Sequence, residues 1–195
     1  FVFVGPPFAV PAVLDAFDAL PGLAVFPQAL PNFLADEDAV EAYDAAVCYH
    51  FHGNGFGVDL TDEFRERARE AIPAWGDAGL GLAVLHHGIP AFPDFPAWSE
   101  VCGIGDRDVT PHFDQDVPVD IEDSEHPITA GLDPWTMRDE TYEMPEPEGR
   151  VLLSTDHPRS MDALAWTREY RESDVFAPGE SRTLMVASLP GNGTA

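Results

Sequence analysis

The sequence predicts one α/β domain spanning residues 1–195, wound around a mainly parallel central sheet, and three observations point that way. Short apolar runs alternate with segments of helical periodicity from Phe1 to Val101, the order that builds β-α-β crossovers. The runs Ala45–Tyr49 and Leu82–Leu85 are continuously apolar, as strands buried on both faces of a parallel sheet are. The length suits one core better than two, and no internal repeat, heptad or low-complexity linker divides it.

Phe1 to Val4, ending at Gly5, reads as the first buried strand. Val10, Val13, Leu14, Phe17 and Leu20 follow at helical spacing, with Pro11 near the start and Pro21-Gly22 as the stop. Leu23 to Phe26 is a second strand and Asp36 to Ala42 a short helix; Ala45 to Tyr49 is the third strand. Thr61 suits an N-cap, with Asp62 and Glu63 where the helix dipole favours negative charge, and the helix should stop at Ile72, before Pro73. Leu82 to Leu85 is a strand that breaks at His86-His87-Gly88, ahead of a helix over Phe95 to Val101. From Gly103 the pattern becomes strand-like, with Val117, Val119 and Ile121 alternating and Pro127, Gly131 and Pro134 as breakers. Strands are expected over Trp135–Tyr142, Arg150–Thr155, Ala163–Thr167 and Thr183–Ala187.

The chain carries 35 Asp and Glu against 10 basic residues, all Arg, for a net charge of −25. The carboxylates are spread among core-forming residues, so the pattern is that of a folded protein with an acidic surface. Such a surface repels phosphate backbones and anionic headgroups, which argues against nucleic-acid and membrane partners and for a neutral or cationic one. It also suits a salt-rich cytoplasm, because at molar salt the Debye length falls to about 3 Å and the self-repulsion is screened. A genome that favours Arg over Lys is the competing explanation. Cys48 and Cys102 form no disulfide framework, no apolar stretch approaches the roughly 20 residues needed to cross a bilayer, and the N-terminus has no basic leader. These features fit a cytoplasmic protein and leave a homo-oligomer open.

In open α/β sheets ligands bind beyond the carboxyl ends of the strands, so the residues that follow each strand carry the chemical interest. His50 and His52 stand two apart, where an extended backbone points both rings to one face, as two ligands of a divalent metal require. Capping the strand against the Gly53-Asn54-Gly55 turn is the competing role, and no cofactor beyond such a metal is suggested. The glycines at 53, 55 and 57 do not match a dinucleotide-binding loop. His86 ends a strand at a sharp turn, the geometry of a nucleophile elbow, where an imidazole serves as general acid, base or ligand, or simply binds backbone. Glu140 is a candidate acid or base, or a turn residue. His157 follows another strand, while His126-Pro127 reads as a turn. Trp98 and Trp166 either stack on a sugar or fill the core.

Three blocks carry a family resemblance. Gly81-Leu82-Ala83-Val84-Leu85-His86-His87, with Phe92, Trp98 and Gly103, is the first. The second is His126-Pro127-Ile128-Thr129-Ala130-Gly131-Leu132 followed by Asp139-Glu140-Thr141-Tyr142. The third is Ser154-Thr155-Asp156-His157-Pro158 with Ala165-Trp166-Thr167-Arg168-Glu169-Tyr170. In this order, over residues 43–176, they resemble the ThuA-like, trehalose-utilisation family. The resemblance implies a flavodoxin-like three-layer sandwich of the class I glutamine amidotransferase-like group, with His86 where the catalytic cysteine would stand. It implies a site at His86, Glu140 and Tyr142, to which strand-end position adds His50, His87, Trp98 and His157 as substrate-binding candidates. One departure is visible: a strand ending Gly-His and a closing helix are expected after the Trp-Thr-Arg strand, and the segment after Phe176 has diverged or is truncated.

The expected function is action on a sugar or keto-sugar, with His86 and Glu140 in proton transfer. A non-catalytic sugar-binding protein or pseudoenzyme on the same scaffold is the alternative. Amidotransferase chemistry through Cys48 or Cys102 would need a thiol at the elbow, and neither cysteine is there.

Overall fold

The computed structural model describes residues 1–5, 9–18, 20–36, 38–50 and 61–179. The expected strand at Thr183–Ala187, His52 and the glycines at 53, 55 and 57 lie outside them. The elements are β1 (Val2–Val4), α1 (Val10–Asp18), β2 (Phe26–Gln28), α2 (Leu30–Ala35), α3 (Ala39–Ala42), β3 (Ala45–Cys48), α4 (Asp62–Asp77) and β4 (Gly81–Val84). A 3-10 turn (His86–Gly88), α5 (Pro96–Cys102), β5 (Thr110–Ile121), β6 (Trp135–Glu143), β7 (Arg150–Ser154), β8 (Ala163–Tyr170) and β9 (Ser173–Pro178) complete them.

The strands form one sheet in the order β2-β1-β3-β4-β9-β8-β7-β5-β6. From β2 to β9 every neighbouring pair is parallel. From β9 to β6 every pair is antiparallel, so the sheet is mixed and the expectation of a mainly parallel one is corrected. The cause is connection length. Parallel neighbours need a crossover of a dozen or more residues, usually a helix, whereas β8 and β9 are joined at Tyr170↔Ser173 by a tight turn in which Arg171 has φ +55°. β9 joins the halves, pairing with β4 at Leu82↔Val175 on one side and with β8 on the other.

Helices cover both faces of the parallel half. On one face Leu30, Phe33, Ile72, Trp75, Trp98 and Val101 pack against Val2, Val4, Ala46 and Val84; on the other, Val10 and Phe17 lie on Phe3, Val47 and Leu85. The antiparallel half has its own core of Val117, Val119, Met137, Leu152, Leu153 and Leu164, drawn from strands alone. Thr61 Oγ1 accepts from Phe64 N at 3.2 Å, the expected cap of α4. That helix does not stop before Pro73, however, but runs to Asp77. Stopping it would take Trp75 and Gly76 out of the buried stripe they share with Ala68 and Ile72, and their burial offsets the backbone bond Pro73 cannot make. Leu23 to Val25 lies before β2 rather than in it; the helix expected over 36–42 is the shorter α3, and α2, ahead of it, is a helix not expected. Pro27 within β2 is accommodated because β2 is an edge strand.

Candidate functional site

β4 delivers the histidines. Leu85 N donates to Cys48 O (2.9 Å), which holds the strand against β3 to its last residue. The chain then turns sharply, with His86 at φ +49°, a left-handed conformation that non-glycine residues seldom adopt. Gly88 fits because a Cβ there would stand 2.6 Å from Cys48 O. Behind the turn, the fully buried Trp98 donates from Nε1 to Gly88 O at 2.8 Å. Trp98 therefore buttresses the elbow and does not offer a face to a sugar, correcting its assignment as a substrate-binding residue.

The antiparallel half delivers the acid and the phenol. Glu140 and Tyr142 are two apart on β6 and so share a face. Two bonds hold the end of β6 against the loop before β8: Thr141 Oγ1 to Arg159 O (2.6 Å) and Met161 N to Tyr142 O (2.9 Å). The result is a compact cluster. His86 Nε2 lies 2.7 Å from Glu140 Oε1, and His87 Nε2 3.8 Å from the same oxygen. The Tyr142 hydroxyl sits 3.2 Å from Nδ1 of His86, 3.2 Å from Nδ1 of His87, and 3.2 Å from Glu140 Oε1. Tyr142 and His86 rings stack at 5.5 Å and 11°, and Tyr49 forms a further wall, 6.1 Å from His86. His86 and Tyr142 are each 1 % exposed and the Glu140 side chain 12 %.

The hydrogen bond from His86 holds the Glu140 carboxyl below the usual carboxylate range; burial opposes this, and the charges of His86 and His87 and the Tyr142 hydroxyl assist it. Glu140 is thus a carboxylate at neutral pH. It orients the His86 ring and draws the Nε2 proton, which turns Nδ1 towards the phenol. Such a chain can pass a proton between imidazole, carboxylate and hydroxyl.

His86, His87 and Glu140 also each offer one ligand atom, all within 4.8 Å of one another. Two imidazoles and a carboxylate form a donor set that suits zinc and similar divalent ions. This set differs from the expected His50 and His52 pair. The His50 ring is turned into the aromatic core, 5.1 Å from Phe92 and 5.5 Å from Trp98, so it packs behind the elbow. His157 does not join the cluster through its ring, which accepts from Arg159 N (3.3 Å) and so stabilises its own loop. His126 likewise caps its turn, accepting from Ile128 N at 3.2 Å. Both cysteines are buried, and burial pushes each thiol up to about 12, which removes thiolate chemistry at neutral pH.

A strand that ends in a strained elbow over a helix-covered parallel half-sheet is an arrangement that solved structures share at the level of fold. A glutamine amidotransferase from Thermotoga maritima superposes with a TM-score of 0.51 at 8 % identity, over 92 % of this chain and 74 % of that one. The chain belongs to the ThuA family, described as trehalose utilisation, whose model matches residues 16–185. Among solved structures, a ThuA-like protein from Parabacteroides merdae gives a TM-score of 0.68 at 16 % identity, covering 91 % of this chain and 77 % of that one. The cytoplasmic protein STM1381 of Salmonella typhimurium LT2 gives 0.63 at 16 % identity, covering 92 % and 86 %. At these identities the likeness is one of fold. No curated protein matches the sequence. Among the described residues no helix is long and apolar enough to cross a membrane.

Proposed function

We propose that this protein acts in the cytoplasm on a sugar or keto-sugar, moving a proton with His86 and Glu140 at the carboxyl end of β4. The observation that carries the reading is the 2.7 Å contact between His86 Nε2 and Glu140 Oε1 beneath the Tyr142 hydroxyl. Family membership supports the substrate class, since the ThuA family is one of trehalose utilisation. The net charge of −25 supports a neutral substrate over an anionic one and a salt-rich setting. Glu140, ionised and oriented, accepts a proton relayed through His86, and Tyr142 supplies a hydroxyl that can donate to a developing oxyanion. A divalent ion held by His86, His87 and Glu140 would polarise a carbonyl or hydroxyl oxygen.

A non-catalytic sugar-binding role is the second reading, and the burial of His86 and Tyr142 favours it, because substrate reaches them only if the site opens. Sugar binding and turnover by calorimetry and product analysis, with metal content by elemental analysis, in molar salt, test both. Turnover of trehalose or a keto-disaccharide that is lost in His86→Ala supports the enzyme; binding without turnover supports the second reading. If wild type neither binds nor converts any of them, the sugar reading fails.

A further inference from the structure

A sugar site needs a surface on which a pyranose ring can rest, and the buried Trp98 is not it. The register of β5 against β6 offers another aromatic ring. His112 pairs with Thr141 and Gln115 with Asp139, so two residues, Phe113 and Asp114, stand opposite Glu140 alone. The extra residue is a β-bulge, with Asp114 at φ +56°. Bulges recur next to active sites, where they re-aim a side chain. Phe113 is 63 % exposed, more than any other large hydrophobic residue among those described, although the strand core of Val117, Val119 and Met137 begins only a few residues away. The register therefore sets Phe113 and Asp114 on the strand beside Glu140, facing it across the interruption in the ladder.

The polar groups beside it are of the right kind. Arg138 shares the face of Glu140, being two residues away on β6. Its guanidinium donates to Asp116 Oδ1 at 3.3 Å and lies 4.0 Å from Asp114 Oδ1, which brings both carboxylates to that face. A pyranose has an apolar C–H face and a rim of hydroxyls. The first fits an exposed phenyl; the second donates to carboxylates and accepts from a guanidinium.

We propose that Phe113, with Asp114, Asp116 and Arg138, forms a sugar-binding subsite adjoining Glu140, in which the phenyl ring takes the apolar face of a pyranose. The assignment rests on the sugar reading above and adds the residue that positions the ring. The test is calorimetry and saturation-transfer NMR with trehalose and a keto-disaccharide on wild type, Phe113→Ala, Phe113→Trp and His86→Ala, with sedimentation to follow oligomeric state. An exposed ring can be replaced without opening the core, and an unchanged melting temperature verifies this. Phe113→Ala should weaken binding roughly five- to tenfold and abolish saturation transfer to the sugar's ring C–H protons, whereas Phe113→Trp retains both. Wild-type affinity in Phe113→Ala alongside lost binding in His86→Ala overturns the subsite and leaves the histidine site standing. Unchanged sugar affinity with a dissociated oligomer makes Phe113 an interface residue instead. Absence of sugar binding in wild type removes the sugar reading and the subsite with it.

Discussion

In the parallel half of the sheet, backbone geometry positions the site: His86 sits in a strained turn that Gly88 permits, with Trp98 bonded to the glycine carbonyl behind it. In the antiparallel half, strand register does so, setting Glu140 and Tyr142 two apart on one face and tying the strand end to the loop before β8. Neither half holds the cluster alone, because the 2.7 Å contact joins residues 54 positions apart. The difference teaches where each half is vulnerable. The elbow depends on what packs behind it, and the carboxylate depends on which polar groups face it.

The largest effect should come from the packing side. Trp98→Ala removes a fully buried indole and leaves the Gly88 carbonyl without its donor, which should cost about 3–5 kcal/mol in urea unfolding. If the elbow depends on that support, the truncated protein also loses sugar or metal binding while still folded. A variant that binds as wild type does would show the elbow to be self-supporting.

Glu140→Gln probes the other half. It leaves the His86 donor facing a neutral amide, and a loss of about 1–3 kcal/mol is expected. The sign of its pH dependence follows from the lowered pKa. A carboxyl that ionises more readily folded than unfolded adds stability above the unfolded value, about 4.3 for Glu, and loses it as pH falls through the lower folded value. The gap between wild type and Glu140→Gln should therefore be widest above about pH 5 and close as the solution becomes more acid. A gap that widens towards acid would mean that Glu140 is held protonated, and the proton-relay reading would fail.

These two halves also differ in how far the sequence reveals them. The elbow is legible because its cause is local: a continuous apolar run, then His86-His87-Gly88. Glu140 and Tyr142 are legible only through motif resemblance, since no spacing rule connects β6 to β4 across the sheet. The place of β9 beside β4, which joins the two halves, is not legible, because β9 is short and β4 lies about ninety residues earlier, a separation at which periodicity carries no information about pairing. His50 misleads for a physical reason. It follows its strand as His86 does, but its ring lies in the core, where Phe92 and Trp98 receive it. The bulge at Phe113 leaves no sequence signal beyond one aromatic residue in a polar run.

A smaller effect sharpens the comparison within the cluster itself. Tyr142→Phe keeps the stacked ring and removes only the hydroxyl shared by Glu140 and the two histidines, so about 1 kcal/mol is expected. If the phenol takes part in the reaction, turnover falls far more than stability. Equal small losses in both would leave it a structural spacer.

The smallest effect lies on the surface of the parallel half, where Arg67 Nη2 pairs with Glu63 Oε1 at 2.8 Å across one helical turn. Two opposing terms set the sign for Glu63→Gln. Losing the pair, and a negative charge in the first turn of α4, removes roughly 0.3–0.5 kcal/mol for the pair and a similar dipole contribution. Removing one carboxylate from a chain of net charge −25 relieves long-range repulsion, which is spread over many distant partners and screened beyond about 10 Å at 0.1 M salt. The local terms should prevail at low salt, so the variant melts slightly below wild type. In molar KCl the screening length falls to about 3 Å, the difference should vanish, and both proteins should melt higher than in dilute buffer. A variant more stable than wild type in dilute buffer would mean that collective repulsion outweighs any single pair on this surface, and that acidity, not local pairing, sets the salt demand of the whole fold.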